Sequence, residues 1–367
     1  MHDDPAQRPV SAAPIGSTAM TPLSGAPARD LPQAANADSA ARALPRLLVF
    51  GEALTDFVHR GNGQWQSAAG GACWNVARVA AVLGIHTGWA GAISNDPFGQ
   101  EIVTLSDRAN LDARYRQVVD KPPLVAMVHR TNPPEYAFLG NDAADLAFDE
   151  TRLPQGWEAA CTLAHFGCIS LVRQPLGTRL AGIARRLRDG GTRISFDANY
   201  RNLMGPDYPA FFEDMVAHSD IVKVSDEDLS QIYPHRDPQA SLDAVLAMLQ
   251  AAPPPRGAER STPAQSDAGR MLLYTRGADG MTLYAGSQRI VQNAITVAVS
   301  DTVGAGDACI GGLLASLLLH PSERLDVHVR FAAATAACAC TQTGAHAPTL
   351  TEVDALLQAD AAMQGAA

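Results

Sequence analysis

Lysine is nearly absent from this chain. Of its 28 basic residues only Lys121 and Lys223 are lysines, and neither follows a glycine. There is therefore no G-x-x-x-x-G-K-[ST] loop, which excludes a P-loop nucleotide site. A dinucleotide fingerprint fails too, because Cys309 stands where the cluster opened by Gly304 and Gly306 would need its third glycine. Positive charge is in deficit, 28 basic against 38 acidic residues for a net charge of −10, which argues against a nucleic-acid partner. No apolar run reaches the ~20 residues that span a bilayer, so no membrane role is expected. The N-terminus lacks a basic-then-apolar leader pattern. Cys73, Cys161, Cys168, Cys309, Cys338 and Cys340 show no paired metal-ligand spacing. They sit in apolar runs and read as buried free thiols of a cytoplasmic protein.

What is present is a globular composition. The 367 residues are 47% hydrophobic and 18% charged, enough for a large core. Residues 1–44 are rich in Ala, Pro, Ser and Asp without periodicity and read as a disordered tail. A buried strand opens the ordered part at Arg46 to Glu52. From Leu163 onward, strands and helices alternate: strands at Leu163 to Ile169, Arg193 to Asp197, Ile221 to Val224 and Met271 to Thr275 are separated by helical periods. Repeated βα units predict an α/β fold, a mostly parallel sheet covered on both faces with sites at its carboxyl ends. Residues 114–119, 124–129 and 136–139 read as strands with no helices between them. With residues 54–67 they are expected to form a separate small antiparallel sheet, a lid built from about 54–67 and 114–140. A turn is expected at Asn132-Pro133-Pro134. The Pro/Ser/Ala-rich stretch 253–269 reads as a flexible insertion. His129 and His165 lie in apolar runs and are read as packing histidines.

The organising stretch is Asp301-Thr302-Val303-Gly304-Ala305-Gly306-Asp307, followed by an apolar helical run to Leu319. Two glycines allow a tight turn, and the first amides of the next helix lack partners within it and carry the positive end of its dipole. That is an anion site. A carboxylate there makes sense if it accepts a proton from a hydroxyl while the turn holds a phosphoryl group. The bland alternative is a glycine-rich turn with a capping Asp. Asp56, just past the first strand, can accept hydrogen bonds from neighbouring hydroxyls. Gly70-Gly71-x-x-x-Asn75 places two flexible residues before a helix and an amide one turn in. Asp197-Ala198-Asn199-Tyr200-Arg201 ends a strand where an α/β site should lie, with Arg201 as a permanently charged donor.

These motifs, in this order, resemble those of the PfkB (ribokinase-like) carbohydrate kinases, over about residues 46–357. D-T-x-G-A-G-D is similar to that family's C-terminal signature and G-G-x-x-x-N-x-A to its N-terminal one. The resemblance implies a three-layer α/β/α sandwich with a small β-sheet lid and a kinase domain over 45–360. It implies an ATP-dependent kinase with Mg²⁺ and a K⁺ ion beside Asp301. Asp307 would be the general base, with the amides of Gly304, Ala305 and Gly306 as the anion hole. Asp56, Gly70, Gly71, Asn75, Asn199 and Arg201 would bind the sugar. Ser225, Thr275, Gly277, Gly280, Gly304 and Gly306 would line the nucleotide, with Asp228 reaching the metal through water. The Asp197–Arg201 pattern and the segment Tyr136 to Asp145 resemble the fructokinase branch, so fructose is the first expected substrate. 2-Keto-3-deoxygluconate follows, then ribose or a nucleoside. A catalytically silent sugar- or nucleotide-binding regulator on the same fold is the alternative of another class. Two positions depart from the pattern: Gly140, where many such kinases carry Arg, and Ala333, where Asn is common nearby. A homodimer through the lid is expected.

Overall fold

The computed structural model describes residues 43–131, 134–251 and 269–365. Residues 1–42 of the expected tail, Asn132 and Pro133 of the expected turn and residues 252–268 around the expected insertion lie outside the described residues. The strands are β1 (Leu47–Phe50), β2 (Leu54–Gly61), β3 (Gln64–Gly70), β4 (Thr87–Ser94), β5 (Arg116–Val119), β6 (Val125–Thr131), β7 (Pro134–Leu139), β8 (Leu163–Gly167), β9 (Arg193–Asp197), β10 (Ile221–Ser225), β11 (Met271–Thr275), β12 (Met281–Ala285) and β13 (Gln288–Gln292). The helices are α1 (Ala72–Val82), α2 (Pro97–Arg108), α3 (Trp157–Ala160), α4 (Leu176–Asp189), α5 (Tyr208–Ala217), α6 (Asp226–Ile232), α7 (Pro238–Ala251), α8 (Ala305–Leu319), α9 (Leu325–Ala339) and α10 (Leu350–Gly365).

Nine strands form the main sheet, in the order β13-β12-β11-β10-β9-β8-β1-β4-β5. Its strands from β11 through β5 pair in parallel, while β12 and β13 turn back antiparallel at one edge. β1 shows why the layers form. Leu47 and Val49 join the core under α1, α8 and α9, while Leu48 and Phe50 join the core on the opposite face with α4, α5 and α7. A strand covered on both faces must be apolar at every position, and all four residues here are fully buried. α8 sits deepest: Ala308 to Leu317 are all buried. A helix that is apolar all round belongs inside a layer rather than on a surface.

The second sheet has four strands, ordered β3-β2-β6-β7. Two expectations are corrected here. First, the small sheet is not wholly antiparallel, because β2 and β6 pair in parallel. β2 follows β1 and β6 follows β5, two parallel strands of the main sheet, so both leave its carboxyl edge in the same sense. Second, Arg116–Val119 belongs to the main sheet, in parallel register with Gly91–Ser94. The helix α2 that precedes it makes it the second strand of a βαβ unit. His129 is corrected as well: it is exposed, stacked on His59 at 5.2 Å between ring centroids, whereas His165 is buried and bonded to Ser195.

Candidate active site

The carboxyl ends of β1, β9 and β10 converge on the N-terminus of α8. Gly304 caps that helix in the left-handed region at φ 79°. Only glycine adopts this readily, and a Cβ there would also meet Ala345 at 2.8 Å. The turn presents free donors, but not the trio expected. The Ala305 amide donates to the Thr302 carbonyl at 3.2 Å. The amides of Gly304, Gly306 and Asp307 have no acceptor among the described residues. The free amides are therefore those of Gly304, Gly306 and Asp307, because the tight turn uses that of Ala305.

Asp307 lies in the first turn of α8 and is buried. Asn75 Nδ2, from α1, donates to one of its oxygens at 2.9 Å, and Asn199 Nδ2, from the loop after β9, reaches the other at 3.5 Å. Both residues were expected on the sugar; here both hold the carboxylate. Asn75 Oδ1 is buried without a donor, an acceptor open to a ligand hydroxyl. Burial pushes the Asp307 carboxyl up to about 6, against the pull of the Asn75 bond and of the Lys223 and Arg201 charges. It is therefore ionised at neutral pH and only weakly so in acid, the range a general base needs.

Asp56 stands on β2 at the root of the small sheet. The bare backbone of Gly70 lies against it, since a Cβ at 70 would fall 2.2 Å from Asp56 Oδ2. Burial raises its carboxyl to about 7, with Arg201 opposing and Asp307 adding to the rise. Arg201 donates to the Asn199 and Tyr200 carbonyls at 3.3 and 2.7 Å and stacks over the Tyr136 ring at 5.4 Å. Burial opposes its charge, but the surrounding acidic groups outweigh that and keep it charged. Asn202 donates to the Tyr136 carbonyl at 2.7 Å. Tyr136 of β7 thus ties the small sheet to this loop, a contact that the sequence reading missed.

The expected nucleotide residues occupy neighbouring ends. Ser225 and Thr275 are register partners on β10 and β11. Gly277 and Gly280 form the turn before β12, where the Arg276 amide donates to the Gly280 carbonyl at 2.8 Å. Asp301 accepts from the Val303 amide at 3.1 Å and the Gly344 amide at 2.9 Å, joining the turn's approach to the loop after α9. Asp228 has structural work. With Ser225 it forms the capping box of α6, and it accepts from the Tyr200 amide at 2.7 Å and the Ser225 amide at 2.8 Å. No group of three metal-ligating side chains occurs among the described residues. This donor set suits a divalent ion held chiefly by a nucleotide's phosphates and waters, as Mg²⁺ prefers.

The two departures resolve differently. Ala333 is buried in the apolar core. Gly140 is held through its backbone. Arg173 donates to the Gly140 carbonyl at 2.6 Å and pairs with buried Asp145 at 2.6 Å. A second group that sequence reasoning passed over is Lys223. Its Nζ lies 2.9 Å from both oxygens of Asp197, with both side chains buried. The signal was available: a lysine inside the apolar strand Ile-Val-Lys-Val needs a buried partner.

Comparison with known proteins agrees with this geometry. A model described as the pfkB family carbohydrate kinase matches residues 44–352. A fructokinase of Rhizobium leguminosarum bv. trifolii is 32% identical over 280 residues, covering 74% of this chain and 79% of that protein. A fructokinase of Salmonella typhimurium is 31% identical over 279 residues, covering 74% and 84%. In fold, the crystal structure of fructokinase with bound ATP from Xylella fastidiosa matches with a TM-score of 0.74 at 24% identity, covering 87% of this chain and all of that one. With most of its length matched by the family model and its motifs gathered at one sheet edge, the chain belongs to the pfkB family of carbohydrate kinases and is an ATP-dependent sugar kinase.

Proposed function

We propose that the sugar is fructose and that the reaction is transfer of the γ-phosphoryl group of ATP to one of its primary hydroxyls. The observation that carries this reading is the placement of Asp307: buried, held by two carboxamides, one peptide from a free-amide turn and within the electrostatic reach of Asp56 and Arg201. The fructokinase relatives at about 30% identity support the choice of sugar.

In this mechanism the sugar rests between the small sheet and the ends of β1 and β9. Asp56 accepts from its hydroxyls, with Gly70 and Gly71 giving it room, and Asn75 Oδ1 accepts another. Asp307 takes the proton of the attacking hydroxyl as its oxygen bonds to the γ-phosphorus. The bond from that phosphorus to the β-γ bridging oxygen breaks, and ADP leaves. The amides of Gly304, Gly306 and Asp307 receive the charge of the transferring group, and one such preorganised donor is typically worth about 3 kcal/mol of barrier. Arg201 adds a fixed positive charge. Mg²⁺ would supply charge neutralisation, and Asp228 would be the residue to hold it, through water. Ser225, Thr275, Gly277 and Gly280 border the nucleotide. A monovalent cation beside Asp301 and a homodimer through the four-stranded sheet complete the proposal. That sheet acts as a lid, excluding the water that would otherwise compete as acceptor. All six cysteines are free, which suits a reducing compartment. No described helix is long and apolar enough to cross a membrane.

A second reading has its own support. The buried guanidinium of Arg201, stacked on Tyr136, could pair with a carboxylate, which favours 2-keto-3-deoxygluconate as the runner-up. The test is ADP formation from Mg-ATP with fructose, 2-keto-3-deoxygluconate, ribose, adenosine and tagatose. Strong turnover with fructose alone is expected. A keto-acid response exceeding that of fructose moves the assignment to the runner-up. Nucleotide binding without ADP release from any sugar would favour the silent regulator.

A further inference from the structure

Two buried charges lie directly beneath the catalytic turn, and the reaction as described leaves them idle. Lys223 and Asp197 are register partners on adjacent parallel strands. Both carboxylate oxygens of Asp197 sit 2.9 Å from Lys223 Nζ, and the side chains are 4% and 5% exposed. A pair so deep gains little or nothing over an apolar pair of similar volume, because desolvation offsets the Coulombic attraction. Its position is therefore more informative than its stability. A Cβ at Gly306 would lie 3.4 Å from Lys223 Nζ and 3.6 Å from Cε. The ammonium packs against the bare backbone of the turn at Gly306, the residue before Asp307. An ammonium has three donors. Asp197 takes two, and the third has no acceptor among the described residues.

We propose that Lys223, pinned by Asp197, is a positioning residue of the transfer reaction: its buried ammonium supports the Gly304–Asp307 turn from below and keeps the Asp307 carboxylate ionised to accept the substrate proton. This rests on the reading of Asp307 as the base. The surroundings of Asp307 make a cation there necessary. Glu52 beyond β1, Asp56 on β2 and Asp197 on β9 are acidic groups facing the same space, and the Cys73 and Cys168 thiols line it. Asn75 and Asn199 contribute dipoles but no charge. Lys223 and Arg201 carry positive charge toward it. Arg201 is on the lid-facing loop and is committed to Tyr136 and two carbonyls, whereas Lys223 is fixed in the sheet.

The experiment compares full-length Lys223→Met, Asp197→Asn and the double variant, each first checked for folding by circular dichroism. In Lys223→Met, kcat is expected to fall about 10- to 100-fold with sugar KM changed little. The acid limb of kcat should move up by about one pH unit. Asp197→Asn removes a negative charge and keeps the ammonium, so its acid limb should stay or move down. Should Lys223→Met fail to fold, the double variant, which leaves no unpaired buried charge, takes its place, with an upward shift smaller than about one pH unit expected because loss of the Asp197 charge opposes it. A purely structural pair would lower activity equally in both single variants with an unmoved limb, and that result overturns the proposal. The titration is also read without turnover, by carbon-13 NMR of aspartate-labelled protein with Asp307→Asn used to assign the resonance. An unshifted Asp307 titration in Lys223→Met and in the double variant overturns the role of Lys223, even if the sugar panel identifies no substrate. Failure of the base assignment itself would appear separately, as near-normal turnover in Asp307→Asn.

Discussion

The two sheets of this protein obey different rules. In the main sheet, β1 has no exposed residue, and buried charged or imidazole side chains are paired, His165 with Ser195 and Lys223 with Asp197. In the small sheet, Gln64 to Ala68 of β3 are all exposed, and the Trp65 ring packs at a tilt against His59. Yet each sheet gives the site a carboxylate of raised affinity for protons, Asp307 packed over the one and Asp56 carried by the other. The contrast suggests a division of labour. The rigid sheet fixes the groups that make and break bonds, and the small sheet brings substrate contacts that must come and go. Its ties to the rest include the buried Leu54 and Ala126 at its root, Phe57 edge-on to Phe98 at 5.6 Å, Tyr136 under Arg201, and the bond from Asn202.

The hardest test of this division is Asp307→Asn. The amide keeps the shape and the contact with Asn199 but cannot accept the proton. We expect kcat to drop by about 10²–10⁴-fold, the usual range for a general base, with ATP and sugar binding within a few-fold of the parent by calorimetry. Turnover near that of the parent would remove Asp307 from the reaction.

The next contrast is in stability. Leu313 of α8 is fully buried between the main sheet and its neighbouring helices, so Leu313→Ala should cost about 2–5 kcal/mol in urea unfolding. Trp65 is 40% exposed at the edge of the small sheet, and Trp65→Ala should cost less than about 1 kcal/mol. Equal losses would mean that the small sheet is as integral to the folded core as α8. A shift of Trp65→Ala to lower mass in sedimentation would instead place that face in a dimer.

Much of this architecture could be read in the chain. The apolar runs Leu47 to Phe50 and Ile221 to Val224 gave parallel strands because both faces of each had to be covered. The Gly304–Asp307 turn marked a candidate anion site because its two glycines let a ligand come close to the open amides that begin a helix. What failed to show was pairing over distance. Arg116–Val119 was grouped with the small sheet because local pattern shows that a strand exists but not which neighbour it takes. The amide of Ala305 was counted as a donor because sequence does not reveal the turn bond to Thr302. That Asn75 and Asn199 also hold Asp307 did not show, since a carboxamide 232 residues from its partner carries no local mark of that contact. The bond from Arg173 to the Gly140 carbonyl was likewise invisible, since its partners lie 33 residues apart.

The subtlest comparison sets the two carboxylates against each other in pH. Asp56 titrates near 7 and Asp307 near 6, both raised first by burial. Sugar binding should weaken as pH falls through about 7, because an ionised acceptor makes the stronger hydrogen bonds. kcat should fall only on passing about 6, when the base itself takes a proton. Asp56→Asn should abolish the upper step in sugar KM and leave the lower one in kcat. The sign for stability runs opposite to the usual carboxylate. The Asp56 carboxyl is raised in the folded state, so between about 4 and 7 the folded chain binds that proton more tightly than the unfolded one. Its contribution to stability is therefore greatest in acid and declines as pH rises toward 7. Replacing it with Asn should raise Tm at pH 8 by ~2–4 °C, with the gain shrinking toward pH 5. A gain independent of pH would mean that the substitution acts through packing, and that the proton affinity of Asp56 does not set the upper step.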